Sequence, residues 1–336
     1  MTNPLKVVYF QRKPRDSYYS VEGLFQVIRE AMPKEIECKV AISRHVSSGV
    51  LRRTYNVIEA YFRQGDINHI AGDVHFLSYL LCKKKTLLTV LDCVFSQHES
   101  RISRNIIRLL WYVLPEKRVA KISVISQSTK DELLKVVKCD PGKIIVIHAC
   151  ISPRYVFMGK EFNSSKPIIL QVGTGNNKNL HRLIEALQGI PCRLDLIGEL
   201  TPDHKALLSD YRIEYTNSSN LSETEIINKY KDCDMVTFVS TYEGFGLPIL
   251  EANAVGRPVI TGNIYSMPEV AGDAACIVNS FSVSAIKDGI NRIINDENYR
   301  NMLINNGRKN VERFTPEHIA KCYRDIYMEC RNRGLQ

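Results

Sequence analysis

The sequence predicts an α/β fold with two doubly wound parallel sheets. Short β-branched runs alternate with helical stretches along the chain, a rhythm typical of parallel sheets with helices on both faces. The rhythm occurs twice, separated by a polar stretch over 162–167, and 336 residues are enough for two full cores. We therefore expect two domains facing each other across a cleft, with ligands bound beyond the carboxyl ends of the strands.

The predicted elements follow this rhythm in order. The predicted strands are 7–10, 39–42, 86–91, 122–126, 144–147, 168–172, 194–197, 235–239 and 258–261. The predicted helices are 21–31, 51–63, 102–112 and 129–137, and four more begin after Lys178, Asp203, Ser222 and Leu247. The N-terminal domain is predicted over residues 1–162 and the C-terminal domain over 163–314. A final helix over 315–336 is expected to pack on the N-terminal domain.

Composition excludes several classes of protein. Apolar content of 44% and charged content of 24% are ordinary for a soluble globular protein. No apolar run approaches the ~20 residues that span a bilayer, and the N-terminus carries no signal peptide, so we expect a cytoplasmic protein. None of the ten cysteines forms a CxxC pair, which argues against a zinc or redox site.

Charge is distributed unevenly along the chain. Residues 1–165 contain 26 Lys and Arg against 15 Asp and Glu, whereas the remainder contains 19 against 21. The basic half indicates an anionic partner, which could be a substrate, a membrane surface or nucleic acid. No nucleic-acid motif accompanies the charge, so we expect no nucleic-acid partner.

One basic helix is a candidate for contact with an anionic membrane. Arg101, Arg104 and Arg108 lie three and four apart, on one helical face, and Trp111 follows them. This pattern suits a peripheral helix on the inner face of the plasma membrane. The alternative is a solvated helix face with Trp111 in the core.

The densest chemical signal is the segment 243–251, which reads EGFGLPILE. It places Glu243 and Glu251 eight positions apart, between a buried strand and a helix with Pro248 in its first turn. A glycine turn from strand to helix aims backbone N–H groups and the positive end of the helix dipole at an anion. The alternative is an ordinary turn with two solvated glutamates.

A second glycine turn follows the strand predicted over 168–172. It reads GTGNNKN from Gly173 to Asn179, and Lys178 is placed to put a point charge on a phosphate near the helix start. The alternative is a helix cap with an exposed lysine.

Together these segments resemble the retaining GT-B glycosyltransferases of family 4 and their EX7E motif. The resemblance is carried by VGTGNNKNLHRLIEAL over 172–187, LDLIGE over 194–199, DMVTFVSTYEGFGLPILEANAVGRPVITGN over 234–263, SMPEVAGDAACIV over 266–278 and RFTPEHIAKCYRDIY over 313–327. It covers essentially the whole second half and is thinner in the first, over 123–133 and 146–151. It implies two Rossmann-like domains in the GT-B arrangement.

The resemblance also implies a reaction and a site. The enzyme would move a hexose from a nucleoside-diphosphate sugar, GDP-mannose or a UDP-sugar, to a glycan or lipid-linked acceptor in surface polysaccharide synthesis. The sugar nucleotide is a co-substrate; retention is implied, and no cofactor or metal is expected. Glu243 and Lys178 would be catalytic, with Glu243 at the sugar hydroxyls, Lys178 at the diphosphate and Glu251 at the ribose. The implied donor-binding residues are Gly173, Thr174, Lys178, Gly244, Phe245, Gly246, Leu247 and Glu251.

This chain departs from the family pattern on the cationic side. The arginine expected in the first glycine turn is absent, because Thr174 and Asn177 occupy its candidate positions. Arg12 and Arg15, in a basic loop after the first strand, are candidates to replace it from the other domain.

Other candidates carry weaker signals. Asp92 and His98 are candidates for the acceptor side, and Asp92 could equally cap a turn. A formal DxD at 232–234 is expected at the edge of the sheet away from ligands, so no metal site is predicted there. His69 and His75 are expected to be structural.

Two alternative functions stay open. A nucleotide-sugar epimerase could use the same fold, because fold does not fix chemistry. A catalytically inactive module that binds glycan or membrane is the alternative from a different class. The sequence does not indicate an oligomeric state.

Overall fold

The computed structural model describes residues 3–14, 20–93 and 101–334. The chain divides into two compact units, Met1–Cys150 with Pro316–Gln336, and Ile151–Thr315. The first unit ends before the predicted boundary at residue 162, so the polar stretch over 162–167 lies inside the second unit.

Strands and helices alternate through both units. The strands are β1 (Leu5–Gln11), β2 (Ile36–Ile42), β3 (Ile67–Ala71), β4 (Thr86–Val90), β5 (Lys121–Val124), β6 (Ile144–Val146), β7 (Ile168–Val172), β8 (Arg193–Ile197), β9 (Tyr215–Ser218), β10 (Met235–Phe238), β11 (Val259–Gly262) and β12 (Cys276–Val278). The helices are α1 (Ser20–Glu30), α2 (Val50–Tyr61), α3 (Arg101–Ile107), α4 (Leu114–Lys117), α5 (Gln127–Val136), α6 (Leu180–Leu187), α7 (Pro202–Asp210), α8 (Glu223–Asp232), α9 (Leu247–Val255), α10 (Met267–Ala271), α11 (Val283–Asn295), α12 (Glu297–Asn310) and α13 (Pro316–Gly334).

Each unit is built on one parallel sheet. The first sheet has the order β2-β1-β3-β4-β5-β6 and the second β12-β11-β10-β7-β8-β9. The strand order reverses between β1 and β3 in the first sheet and between β7 and β10 in the second. These two sheets confirm the predicted fold class of two doubly wound α/β domains.

Two differences from the predicted elements have simple causes. Strands β3, β9 and β12 are absent from the predicted set. The sequence of β9, YTNS, is polar, and β9 lies at the sheet edge, where burial imposes no apolar pattern. The helix predicted over 102–112 is instead α3 followed by a π-helical segment, Arg108–Val113, that leads into α4. Side-chain periodicity does not distinguish these helical pitches over so few residues.

A buried polar network attaches the last helix to the first sheet. The imidazole of His69, in β3, lies 2.7 Å from the Tyr327 hydroxyl of α13 and 2.7 Å from the Thr89 hydroxyl of β4. Burial lowers the pKa of His69 to about 3, so the ring is neutral and can both donate and accept. His69 is therefore a satisfied core residue.

The formal DxD is a structural clamp at the amino end of the second sheet. The buried carboxylate of Asp234 accepts hydrogen bonds from Lys160 Nζ at 2.6 Å and from the backbone N–H groups of Asn163 and Ile168 at 3.2 and 2.7 Å. Asp232 is exposed at the end of α8. Asp234 thus fixes the chain as it enters β7.

We expect Asp234→Ala to destabilise the second unit by about 2–3 kcal/mol, because two backbone donors and a lysine lose a buried carboxylate. The change should appear as a lower midpoint for one transition in thermal or urea unfolding. Asp232→Ala is the matched control and should shift that midpoint little. Equal effects of the two variants would contradict the clamp.

Candidate functional site

The candidate site lies where the order of the second sheet reverses. Strands β7 and β10 are hydrogen-bonded neighbours, so the two glycine turns that follow them meet at the carboxyl edge of the sheet. The sequence predicted both turns, and the structure brings their side chains into contact.

The turn after β7 needs glycine at its first position. Gly173 has a φ of 86°, and a Cβ there would lie 3.0 Å from Cε of Lys178, whose side chain crosses over it. Asn179 then takes a left-handed conformation with φ 61° before α6 begins. Its buried amide donates to the carbonyl oxygens of Val239 and Ser280 at 2.9 and 2.7 Å, which fixes the turn.

Lys178 and Glu243 form an ion pair between the two turns. Lys178 Nζ lies 2.6 Å from Glu243 Oε1, and the two side chains are 22% and 14% exposed. Asn177 supports the pair by donating from Nδ2 to the same Glu243 oxygen at 3.3 Å and to the Tyr242 carbonyl at 3.1 Å. The ammonium also lies 4.8 Å from the centre of the Phe238 ring. The pair remains reachable from solvent, so a ligand can exchange with either partner.

The turn after β10 carries Glu243 and leads into the amino end of α9. Gly246 has a φ of 121° and precedes α9, whose first turn contains Pro248. Phe245 is buried and packs on Phe314 with ring centres 5.8 Å apart. Ser266 holds the turn from below, donating to the carbonyl oxygens of Glu243 and Phe245. The amino end of α9 is therefore held in a fixed position, as an anion-binding helix terminus requires.

Glu251 is held by two phenols. Tyr230, fully buried in α8, donates from its hydroxyl to Glu251 Oε2 at 2.5 Å. The hydroxyl of Tyr155 forms a second hydrogen bond to this carboxyl group. Burial raises the pKa of Glu251, while the two phenol hydrogen bonds oppose that rise. Burial also raises the pKa of both phenols, so they stay protonated donors.

The site combines one cation, two carboxylates and a helix amino terminus. Lys178 and the start of α9 can attract an anionic group, and Glu243 and Glu251 can accept hydrogen bonds from hydroxyl groups. The Thr174 hydroxyl donates to the Glu199 carbonyl at 2.6 Å, and a donor-binding role for Thr174 stays a prediction. Within the described residues, no three His, Cys, Asp or Glu side chains gather in a group that could hold a metal ion.

The predicted acceptor-side residues lie in the first unit. Arg12 forms an ion pair with Glu22, with Nε 2.8 Å from Oε1. Asp92 is exposed just after β4, and its backbone carbonyl accepts from the Tyr112 hydroxyl at 3.3 Å. Arg15 and His98 lie outside the described residues. An acceptor role for these four residues stays a prediction.

Sequence reasoning missed the residues that support the site. Asn177 appeared only as the place of an absent arginine, and Tyr230 and Tyr155 were not considered. Tyr230 lies in α8, a different helix from Glu251 and 21 residues before it, and Tyr155 lies in a loop, so no spacing signal links them. A buried tyrosine usually finds a partner for its hydroxyl, but the sequence does not say which.

The fold defines a class of protein. HepE of Anabaena, solved in complex with UDP and glucose, superposes on 97% of this chain and 100% of its own with a TM-score of 0.79, at 14% sequence identity. The fold of this chain is accordingly the GT-B fold, with two parallel-sheet α/β domains.

Sequence comparison finds a family match within the second unit and relatives that match part of the chain. Residues 157–310 match the family Glycosyl transferases group 1. The chain is 41% identical over 86 residues to the O-antigen chain mannosyltransferase B of Escherichia coli, covering 25% of this chain and 23% of that protein. It is 32% identical over 163 residues to the capsular polysaccharide biosynthesis glycosyltransferase CapM of Staphylococcus aureus, covering 45% and 43%. These matches span less than half of either relative.

We expect Glu251→Gln to raise the unfolding midpoint of the second unit at pH 7. The raised pKa means that the folded protein binds this proton more tightly than the unfolded chain, whose ordinary value is 4.5. The stability of the wild type therefore falls as the pH rises above the unfolded value, and the full loss is reached once the pH passes the raised folded pKa. The gain from Glu251→Gln should be small near pH 4.5, grow as the pH rises above that value, and level off above the raised pKa.

Thermal unfolding of both proteins between pH 4.5 and 8 measures this difference. Glu185→Gln, at an exposed position of α6, is the matched control and should track the wild type at every pH. A wild-type protein as stable as Glu251→Gln at pH 7 would show that ionising the Glu251 carboxyl group carries no cost in stability.

Proposed function

We propose that this protein is a retaining glycosyltransferase that moves a hexose from a nucleoside-diphosphate sugar to a glycan or lipid-linked acceptor in surface polysaccharide synthesis. The observation that carries the proposal is the meeting of Lys178, Glu243 and the amino end of α9 at the strand-order reversal. That arrangement offers a cation and N–H donors to a diphosphate and a carboxylate to sugar hydroxyls, all on one edge of the sheet.

The names of the relatives support a polysaccharide product and favour mannose as the sugar. One is an O-antigen mannosyltransferase and the other acts in capsule synthesis. HepE, one of the structural neighbours, was solved in complex with UDP and glucose. We therefore propose GDP-mannose as the first donor to test and UDP-sugars as the second.

The proposed reaction exchanges one bond at the anomeric carbon for another. The bond from the anomeric carbon to the phosphate oxygen breaks, and both electrons leave with the nucleoside diphosphate. The acceptor hydroxyl oxygen bonds to the same face of the carbon, and its proton passes to the departing phosphate oxygen. This front-face path gives retention without a second carboxylate nucleophile.

Lys178 and the α9 terminus act on the leaving group in this proposal. Negative charge grows on the diphosphate as the bond breaks, so a fixed cation and fixed N–H donors stabilise the transition state more than the substrate. No metal or cofactor takes part. The Lys178–Glu243 pair must open or be shared when donor binds, which costs little for a partly exposed ion pair.

In this proposal, Glu243 and Glu251 bind hydroxyl groups on the two sides of the diphosphate. With the diphosphate at Lys178, Glu243 accepts from the sugar hydroxyls and Glu251 from the ribose. Each oxygen of an ionised carboxylate can accept two hydrogen bonds, so Glu251 can hold its two phenols and still bind a diol.

The acceptor side and the cellular location complete the proposal. Arg12, Arg15, Asp92 and His98 remain acceptor-side candidates. The enzyme is proposed to work in the cytoplasm, in peripheral contact with the inner face of the plasma membrane.

We expect Lys178→Ala to lower kcat/KM for donor by roughly 100-fold, about 3 kcal/mol, because the leaving diphosphate loses its cation. Transfer or donor hydrolysis measured with GDP-mannose and UDP-sugars provides the assay, and calorimetry with GDP and UDP provides the affinity. Lys205→Ala, on the exposed side of α7, is the matched control.

The same assays separate the alternative functions. If the wild-type protein binds neither GDP nor UDP, both enzymatic functions are excluded and the catalytically inactive binding module remains. Donor isomerisation without acceptor would identify an epimerase. Full turnover by Glu243→Ala would remove Glu243 from the reaction.

We expect Tyr230→Phe to weaken nucleoside-diphosphate binding roughly tenfold, because Glu251 loses a charge-assisted hydrogen bond worth about 1.5–3 kcal/mol. Binding of the 2′,3′-dideoxy nucleotide should change little, since it offers Glu251 no hydroxyl. Calorimetry with the two ligands measures the difference.

Tyr215→Phe, at an exposed position of β9, is the control and should bind both ligands as the wild type does. Equal weakening of both nucleotides by Tyr230→Phe would indicate a general loss of structure and contradict a ribose role for Glu251.

A further inference from the structure

Helix α2 in the first unit has an apolar face that is open to solvent. Leu51 is 86% exposed and Phe62, just after the helix, is 78% exposed. The exposed apolar residues of this face, called here the α2 outer face, are Val50, Leu51, Tyr55, Ile58, Tyr61 and Phe62. Large side chains exposed singly are common, but a cluster of six marks an interaction surface.

These six side chains form one stripe. At 100° per residue they fall within an arc of about 140° on the helix. The opposite side of α2 is the buried one, where Asn56 and Ala60 are covered by the unit. Helix α2 therefore packs against the unit with one face and carries on the opposite side an apolar face that nothing in the described part of the unit covers.

Basic residues border the α2 outer face. Arg44 and Arg52 are exposed and form no ion pair within the described part of the chain. Arg44 instead reaches the Tyr55 hydroxyl at 3.4 Å, and Arg52 the Ser48 hydroxyl at 3.1 Å. Arg63 is paired with Glu59, the acid of α2. The border is thus net positive.

A second exposed apolar and basic segment adjoins α2. The guanidinium of Arg53 stacks over the Trp111 ring at 4.5 Å, which joins α2 to the π-helical segment. Ile106 and Leu109 are about half exposed there, beside Arg104 and Arg108.

Trp111 itself is engaged within the unit. Its Nε1 donates to Asp73 at 3.0 Å, and its ring packs on Phe76. Arg108 also donates to the Val136 carbonyl. In the basic helix predicted as a membrane contact, Arg108 and Trp111 are therefore engaged in contacts within the unit. The larger exposed apolar surface is on α2.

We propose that the α2 outer face binds an anionic lipid bilayer. Apolar side chains flanked by arginines and tyrosines suit the interface of such a membrane, where acyl chains cover the apolar stripe and headgroups meet the charges. The unit as a whole holds 28 Lys and Arg against 17 Asp and Glu, a net charge of +11, which favours approach to an anionic surface.

A second copy of the chain fits this face less well. A twofold dimer through the face would set its border of arginines against the same border, and like charges across an interface are unfavourable. No described helix is long and apolar enough to cross a bilayer, so the contact proposed is a peripheral one.

Vesicle sedimentation of the full chain tests the proposal. We expect wild-type protein to bind vesicles of phosphatidylcholine with phosphatidylglycerol, and to bind pure phosphatidylcholine and high-salt samples more weakly. The double variant Leu51→Ser with Phe62→Ser should lower the partition coefficient by about tenfold or more, because it removes the two most exposed apolar groups.

The matched control is Ile277→Ser with Met302→Ser, two exposed apolar positions of the second unit. It should bind as the wild type does. Thermal unfolding and nucleoside-diphosphate affinity should be unchanged in the α2 variant, so failure of vesicle binding and failure of the proposed transferase activity are separate results.

Three outcomes would overturn the proposal. Wild-type protein that does not bind anionic vesicles is one. The second is vesicle binding by the α2 variant that equals that of the wild type. In that case, loss of vesicle binding in the double variant Arg104→Gln with Arg108→Gln would place the contact on the basic helix. The third is a wild-type dimer in sedimentation equilibrium that the α2 variant abolishes, with no vesicle binding, which would make a second copy the occupant.

Discussion

The candidate site depends on one constraint, the hydrogen-bonded pairing of β7 with β10 at the reversal of strand order. Helices leave opposite faces of the sheet on the two sides of that point, so a crevice opens above the two strand ends. Two turns distant in sequence are brought together there, and Lys178 meets Glu243 at 2.6 Å. Each glycine then lets backbone and side chain approach more closely than a Cβ would allow. The sheet topology thus determines where the site lies and which two turns form it.

Glu251 shows what the site costs the fold. A partly buried carboxylate is unfavourable by desolvation, and α9 could carry an apolar residue there without that cost. The protein instead supplies two phenols, the buried Tyr230 and the partly buried Tyr155, whose hydroxyls bond to the carboxylate. Those phenols are rigid donors with few rotatable bonds, so they fix the carboxylate in one orientation. An acidic group placed among the mostly apolar residues of α9 at such a cost is typical of a group retained for binding rather than for stability.

Much of this could be predicted from the sequence. The glycines, Lys178 and the two glutamates were predicted because strand, turn and helix follow one another locally, and local order is what a sequence displays. The fold class followed from the repeated rhythm. The two phenols at Glu251 could not be predicted, because their contacts join segments that only the tertiary fold brings together. Strand β9 was missed because an edge strand needs no apolar face. The outward side of α2 was missed for a related reason: periodicity reveals that a helix has an apolar stripe but not whether the unit covers it.

The two units differ in net charge and in the apolar surface that they expose, and the difference suits the two kinds of partner proposed. The second unit has a net charge of −2, from 17 Lys and Arg against 19 Asp and Glu, and it concentrates one lysine and one helix terminus at a single edge. A cation and a helix terminus held at one point suit a small anion that must be oriented. The first unit spreads a charge of +11 over its surface and exposes apolar side chains along α2. A diffuse positive field cannot orient a small ligand, but it can attract an extended anionic surface that apolar groups then enter. Desolvating a carboxylate and exposing a leucine are both unfavourable for an isolated domain, and the proposed partners, a sugar nucleotide and a membrane surface, would offset these two costs at two separate places.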